Sequence, residues 1–364
     1  MFSDDTFVSA FTVLGSFLRQ FSNPEAGGLS GDMSAQLADL NSKHRDNFRK
    51  IMENEHIVNP WFTREYVQKA IGGITQMLEE DVLRKWLSAY KLTQPEEEKI
   101  KTVGLVMAGN IPLVGFHDLL CVLASGHRVL AKASSKDDRL IIKVSEVLAD
   151  IDSDLGERIS FSQETLSGMD AVIATGSNNS ARYFEYYFRH IPHIIRKNRN
   201  GIAVLSGKES DEELHQLGED IFTYFGMGCR NVTKLFIPEF YDLKLLLGVL
   251  DRFALLGQHH KYGNNVDYYR SLYLMNLYPF LDNGVLLLKE DRAIASPVGV
   301  VFYERYSDIA WVQEELDNRE EEIQCIVSTL EEISGAISPG QTQQPMPWDY
   351  ADGMDTIEFL MELT

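Results

Sequence analysis

From Lys101 onward this 364-residue chain alternates short β-branched runs with amphipathic stretches, and that alternation constrains its fold more than any other feature. Residues 102–107, 128–133, 171–175 and 202–205 read as buried strands, and residues 112–125, 137–150 and 180–189 as the helices between them. A strand that is apolar along its length needs cover on both faces. Helices of this length supply it, so the pattern predicts a parallel sheet with helices on both sides. Ligands of such sheets bind beyond the carboxyl ends of the strands. Asn110, Lys132 and Gly176 all fall at those ends.

A second α/β unit is predicted from about residue 206 to 337. It holds a helix over 211–225, strands near 233–238, 285–289 and 298–303, and an acidic helix over 315–330. Residues 1–95 read as mostly helical. Phe7, Phe11, Leu14 and Leu18 recur on one face, Tyr66, Ile71, Ile74, Met77 and Leu78 on another, with Thr63 as an N-cap. At helical spacing such stripes are core before they are partner surface. Residues 91–98, with Pro95, form a connection to the α/β region 96–205. Residues 338–364 read as an extended tail laid over the body.

Composition excludes several classes of function. Lys and Arg total 34 against 54 Asp and Glu, a formal charge of −20 that repels nucleic acid and anionic membranes alike. Any polyanionic ligand needs a local basic pocket. No apolar run approaches the ~18 residues of a spanning helix. The start, Met1-Phe-Ser-Asp-Asp, lacks the basic residues of a signal peptide, so a cytoplasmic chain is expected. Cys121, Cys229 and Cys325 lie far apart with no C-x-x-C, which argues against a zinc site or a disulfide framework.

Cys229 sits in Tyr224-Phe-Gly-Met-Gly-Cys-Arg-Asn231, between a helical stretch and a strand. Glycines before it let the backbone turn sharply and let a substrate come close. A lone cysteine is more often a small buried hydrophobe, and the glycine setting argues for a nucleophile instead. Ala108-Gly-Asn-Ile-Pro112 places the Asn110 amide after a strand, and a thiol with an amide donor suits acyl chemistry. The first unit lacks G-x-G-x-x-G, which speaks against an ordinary dinucleotide fold. Thr175-Gly-Ser-Asn-Asn-Ser180 suits either a phosphate or a plain helix N-cap. Lys132 either turns its ammonium to the same crevice or is an ordinary strand-end lysine. Arg182, Arg189, Arg196, Lys197 and Arg199 either serve cofactor phosphates or form a solvated face, the plainer reading. His117-Asp118 and His259-His260 lack metal spacing and read as structural, so no metal is expected.

The order of these segments is more specific than any one of them. A strand then A-G-N-I-P, then L-A-K-A-S-S, A-T-G-S-N, L-S-G-K and finally G-M-G-C resembles the aldehyde dehydrogenase superfamily. Within it, G-N-I-P-L-V-G-F-H-D, G-C-R-N-V-T-K-L-F and the tail G-Q-T-Q-Q-P are similar to the LuxC-type acyl-CoA reductases, across roughly residues 101–364. The resemblance implies an α/β, aldehyde dehydrogenase-like fold: a helical N-terminal region (1–95), a parallel-sheet nucleotide-binding domain (96–205), a second, catalytic α/β domain (206–337) and the tail (338–364). It implies NAD(P)H-dependent reduction of an acyl-CoA, fatty acyl by class, to the aldehyde, with NADPH favoured over NADH.

Carried over, it makes Cys229 the nucleophile and Asn110 the oxyanion donor beside the Cys229 amide. Lys132 would bind a cofactor ribose, Gly176 and Ser177 would approach its phosphates, and Ala108 and Gly109 would pass beside it. An acyl-transferring partner protein is a further expectation, and the oligomeric state is left open. Two departures stand out. Val204 occupies the place read for the glutamate that activates water in aldehyde-oxidising members, and Ala293-Ile-Ala-Ser-Pro-Val298 lacks a second glutamate. Without that base an acyl-enzyme would survive to be reduced. Two competing functions stay open: a cysteine acyltransferase or thioesterase without hydride transfer, and a non-catalytic aldehyde dehydrogenase-like binding protein.

Overall fold

Four helices precede the first strand: α1 (Asp4–Ser22), α2 (Ala35–Val58), α3 (Arg64–Met77) and α4 (Glu80–Leu87). The computed structural model describes residues 4–22, 35–91 and 96–363, so the predicted connection at 91–98 lies partly outside the described residues. Phe11, Leu14 and Leu18 of α1 are fully buried, as are Val67 and Ile71 of α3, and the two helices pack together. Thr63 caps α3 as expected, its hydroxyl accepting the Tyr66 N–H at 3.3 Å. Such a cap is worth about 1 kcal/mol.

The chain forms two compact units, Met1–Lys197 with Pro345–Thr364, and Asn198–Gln344. In the first, β1 (Thr102–Val106), α5 (Phe116–Ala124), β2 (Arg128–Lys132), α6 (Arg139–Ile151), α7 (Ser153–Glu157), β3 (Ile159–Phe161), β4 (Ala171–Thr175), α8 (Asn178–Phe188) and β5 (His193–Arg196) follow in turn. The strands form a parallel sheet in the order β3-β2-β1-β4-β5. The direction of winding reverses between β1 and β4, which makes their carboxyl ends the place where loops diverge and leave a crevice. α5 is apolar almost all round, and Leu119, Leu120, Cys121, Val122 and Leu123 are all buried in one core with the N-terminal helices. That helix begins at Phe116 rather than at 112, because Leu113 takes a left-handed conformation (φ 59°).

The second unit contains β6 (Asn200–Val204), α9 (Asp211–Phe222), β7 (Val232–Pro238), α10 (Leu243–Leu250), α11 (His260–Met275), β8 (Leu281–Asp282), β9 (Leu287–Glu290), β10 (Val300–Tyr306), α12 (Ile309–Asn318), β11 (Ile323–Ser328) and β12 (Ala336–Ile337). Its sheet runs β12-β11-β6-β7-β10-β9-β8, parallel except for the β8–β9 pair. Two expectations are corrected here. The strand predicted at 202–205 belongs to this sheet and not to the first, since it pairs with β7 and β11. The acidic helix predicted over 315–330 ends at Asn318; the β-branched run after it is strand β11.

The tail is anchored at both ends and is not simply extended. Thr342 is fully buried within the second unit. Pro345–Thr364 belongs to the first unit and ends in the short helix α13 (Thr356–Met361). There the Tyr350 hydroxyl accepts from Trp86 Nε1 and pairs with the Tyr90 hydroxyl, both at 2.7 Å. Thr356 meets Arg196, whose guanidinium grips the Asp118 carboxylate at 2.6 and 2.7 Å.

Candidate active site

Three of the predicted segments share one edge of the first sheet. Ala108, Gly109 and Asn110 follow β1, Lys132 closes β2, and Gly176 and Ser177 follow β4, so the first and last flank the reversal of winding. Gly109 is there because the loop after β1 is pressed on the loop after β2: a Cβ would lie 2.6 Å from the Ser134 Cβ. Gly176 is equally confined, since its Cβ would meet Ser180 at 2.9 Å. Ser177 caps α8, its hydroxyl accepting the Ser180 N–H at 3.3 Å. Asn110 is exposed and Lys132 half-buried.

The loop that carries Asn110 hangs from a buried carboxylate. Asp137 accepts the Leu113 N–H at 2.8 Å, at the one left-handed residue of that loop. Burial pushes the Asp137 carboxyl well above the usual carboxylate range, against the pull of the Leu113 and Val114 N–H groups. Its other oxygen has no hydrogen-bond partner.

Cys229 belongs to the second unit and is half-buried in front of β7. α9 stops at Phe222, three residues short of the predicted end. Tyr224, Phe225 and Gly226 then take φ values of 54°, 56° and 74°, a run of left-handed residues. Each non-glycine residue held so costs about 1–3 kcal/mol and persists only where its surroundings over-determine it. Here they do. Tyr224 and Phe225 are buried, and Phe225 stacks on His259 with ring centroids 4.3 Å apart. Asn231, fully buried, accepts the Gly228 N–H at 2.8 Å and donates to the Asp220 and Thr223 carbonyls at 2.9 Å each. One side chain thus ties the end of α9 to the glycine before the thiol.

The other two cysteines are unsuited to nucleophilic work. Burial pushes the Cys121 thiol well above its ordinary range. The Cys325 thiol turns inward to the Arg230 carbonyl at 3.5 Å, and burial pushes it up to about 12, with Arg230 opposing and Cys229 adding. A protonated thiol is a poor nucleophile.

Val204 does not stand where the sequence suggested. It pairs with Phe236 near the far end of β7, whereas Cys229 precedes Val232 at the near end. At ~3.3 Å per residue those ends lie ~13 Å apart. Val204 is wholly buried in an apolar cluster with Ile202, Phe236, Val312 and Leu316. The edge of β6 beside the Cys229 turn is Gly201, whose N–H donates to the Asn231 carbonyl at 2.9 Å. The argument from a glutamate missing at Val204 falls with that placement.

The basic run is also reassigned. Arg196 is buried on Asp118, Lys197 pairs with Glu185 at 3.1 Å, and Arg199 donates to the Glu320 carbonyl at 3.1 Å. His117 and His259 are structural, one bonded to the Pro347 carbonyl and the other capping α11. Sequence reasoning missed Asp137, Asp220 and Asn231. Only Asn231 carried a signal, its place two residues after the thiol.

A family model described as acyl-CoA reductase (LuxC) matches residues 32–242, more than half of the chain. The chain belongs to the LuxC acyl-CoA reductase family. As a LuxC-family protein it is an oxidoreductase acting on aldehyde or acyl groups. Its fold is that of the aldehyde dehydrogenases. Aldehyde dehydrogenase 21 from Physcomitrella patens, solved with succinate, is 14% identical with a TM-score of 0.60, covering 99% of this chain and 87% of its own. An oxidoreductase from Marinobacter aquaeolei is 13% identical with a TM-score of 0.62, covering 91% and 75%. An aldehyde dehydrogenase from Mycobacterium tuberculosis, solved with NAD+, is 12% identical with a TM-score of 0.59, covering 89% and 74%. No curated protein matches in sequence. No helix among the described residues of this LuxC-family chain is long and apolar enough to cross a membrane.

Proposed function

We propose that this LuxC-family protein reduces a fatty acyl-CoA to the aldehyde through an acyl thioester on Cys229, using NADPH or NADH. The observation that carries the reading is the contrast among the three thiols. Cys121 is buried and the Cys325 thiol is committed to the Arg230 carbonyl, burial raising both, while Cys229, half-buried, sits on a strained turn fixed from below by Asn231. In the first step the Cys229 sulfur attacks the thioester carbonyl and coenzyme A leaves, so one thioester is exchanged for another at little cost in free energy. The role proposed for Asn110 is to donate its side-chain N–H to the developing oxyanion, with the Cys229 amide as second donor. One such donor is typically worth ~3 kcal/mol of barrier.

The edge of the first sheet fits a nicotinamide dinucleotide: Gly109 and Gly176 keep the backbone bare, and α8 turns its N-terminus toward the crevice. When bound in reduced form, the nicotinamide supplies the hydride that releases the acyl group as aldehyde. Lys132 would hold the ribose, Gly176 and Ser177 the phosphates, and Ala108 and Gly109 would line its path.

The test follows NADPH absorbance and free thiol together, with purified protein and long-chain acyl-CoA. Matched loss of NADPH and release of CoA is expected, abolished in Cys229→Ser and reduced about a hundredfold in Asn110→Ala. CoA release without NADPH loss would support an acyltransferase or thioesterase instead. Full activity in Cys229→Ser would overturn the mechanism.

A further inference from the structure

The nucleophile turn is closed by a segment more than a hundred residues away in sequence. Asp220, on the last turn of α9 and only 1% exposed, directs its carboxylate to the tail. It accepts the Gly340 N–H at 2.7 Å, the Thr342 N–H at 3.1 Å and the Thr342 hydroxyl at 2.7 Å. The Thr342 carbonyl in turn accepts Arg230 Nε at 2.6 Å, and Arg230 is the residue after Cys229. From Asn231 the path returns to the Asp220 carbonyl. Gln343 donates to the Thr342 hydroxyl at 3.2 Å, and its side-chain Oε1 lies 3.6 Å from where a Gly228 Cβ would be. The circuit Asp220–Thr342–Arg230–Asn231–Asp220 therefore ties the two residues after Cys229 to the tail and to the end of α9, and Asn231 reaches back to Gly228 before the thiol.

We propose that Asp220 and Thr342 are positioning residues, which act through Arg230 to hold the Cys229 thiol in its reactive geometry. The proposal rests on the reading of Cys229 as nucleophile. The physical case is one of strain. A turn with two left-handed non-glycine residues relaxes unless several bonds fix it, and a buried carboxylate with three donors makes a stiff anchor. α9 and Asn231 fix the turn from the front and from beneath. The tail fixes the guanidinium of the residue that follows the thiol, and misplacing a nucleophile by about 1 Å is enough to cost ~100-fold in rate.

The experiment uses full-length protein with Thr342→Val, which keeps the shape and loses the hydroxyl, and Thr342→Ser, which restores it. Three quantities are measured: the pH profile of iodoacetamide alkylation read at Cys229 by peptide mass, kcat and acyl-CoA KM, and the unfolding midpoint. Thr342→Val is expected to lower kcat and Cys229 alkylation roughly tenfold, with KM within about twofold of wild type. The shape of the alkylation profile is expected to change with it, whereas a purely structural clasp would leave it as in wild type. Thr342→Ser is expected to recover both. If Thr342→Val does not fold, Arg230→Gln, which breaks the same circuit at the surface side, carries the measurement. A lower unfolding midpoint with wild-type alkylation and kcat overturns the proposal and leaves the tail a structural clasp. Wild-type protein whose Cys229 is alkylated no faster than Cys121 or Cys325 defeats the nucleophile reading itself, before any variant is compared.

Discussion

Asp137 takes its chemistry from burial. Water is excluded, Glu55 and Asp138 lie near enough to oppose its charge, and two N–H groups do not make up the difference. Its carboxyl therefore holds a proton to higher pH in the folded chain than in the unfolded one. The sign follows: its contribution to stability is present below the ordinary carboxylate range and is lost as pH rises through the folded value. Asp137→Asn keeps an acceptor for the Leu113 N–H and removes the titration. The variant is expected to gain stability relative to wild type as pH rises from about 4 toward 8. Thermal unfolding across that range checks it, and a constant difference in midpoint would show that Asp137 does not titrate there. Cys229, Asn110, Lys132 and Gly176 were all legible as candidates, because each stands in a short motif at an element boundary. Asp137 and Asp220 were not. Their roles lie in partners 24 and 122 residues away, which no local pattern encodes.

At the level of elements, the two loops at the carboxyl edge of the first sheet act as one. Gly109 lets them touch, and Gly109→Ala would drive its methyl group into Ser134 and against Lys136. The loops must separate, and overpacking of this kind costs ~1–3 kcal/mol. The expected outcome is a KM for NADPH raised about tenfold or more, with the acyl-CoA KM little changed, in steady-state kinetics on both substrates. Equal rises in both constants would indicate a general distortion instead. The helix predicted over 315–330 shows where periodicity misleads. An acidic run favours a helix, yet Ile323, Ile326 and Val327 are β-branched and their run is drawn into the sheet beside β6. A free strand edge in a parallel sheet accepts whichever run lies next to it.

Over the whole molecule the tail is the element with the widest reach. Residues up to Gln344 close the second unit, and Pro345–Thr364 closes the first. Tyr350→Phe removes the acceptor for the Trp86 N–H in a buried setting, at a cost of about 1–3 kcal/mol. It is expected to lower the denaturant midpoint while leaving Cys229 alkylation unchanged. Slower alkylation in that variant would mean that the two anchor points are coupled. The amino-acid sequence alone determined most of the local elements, the order of the motifs, the parallel α/β class and the family, because periodicity and turn chemistry act over about ten residues. Which sheet β6 joins, where Val204 lies and what braces Cys229 were decided by tertiary structure. A strand pairs about equally well with any parallel neighbour, and a buried carboxylate with any convergent donors. Only the packing of the whole chain chooses among them.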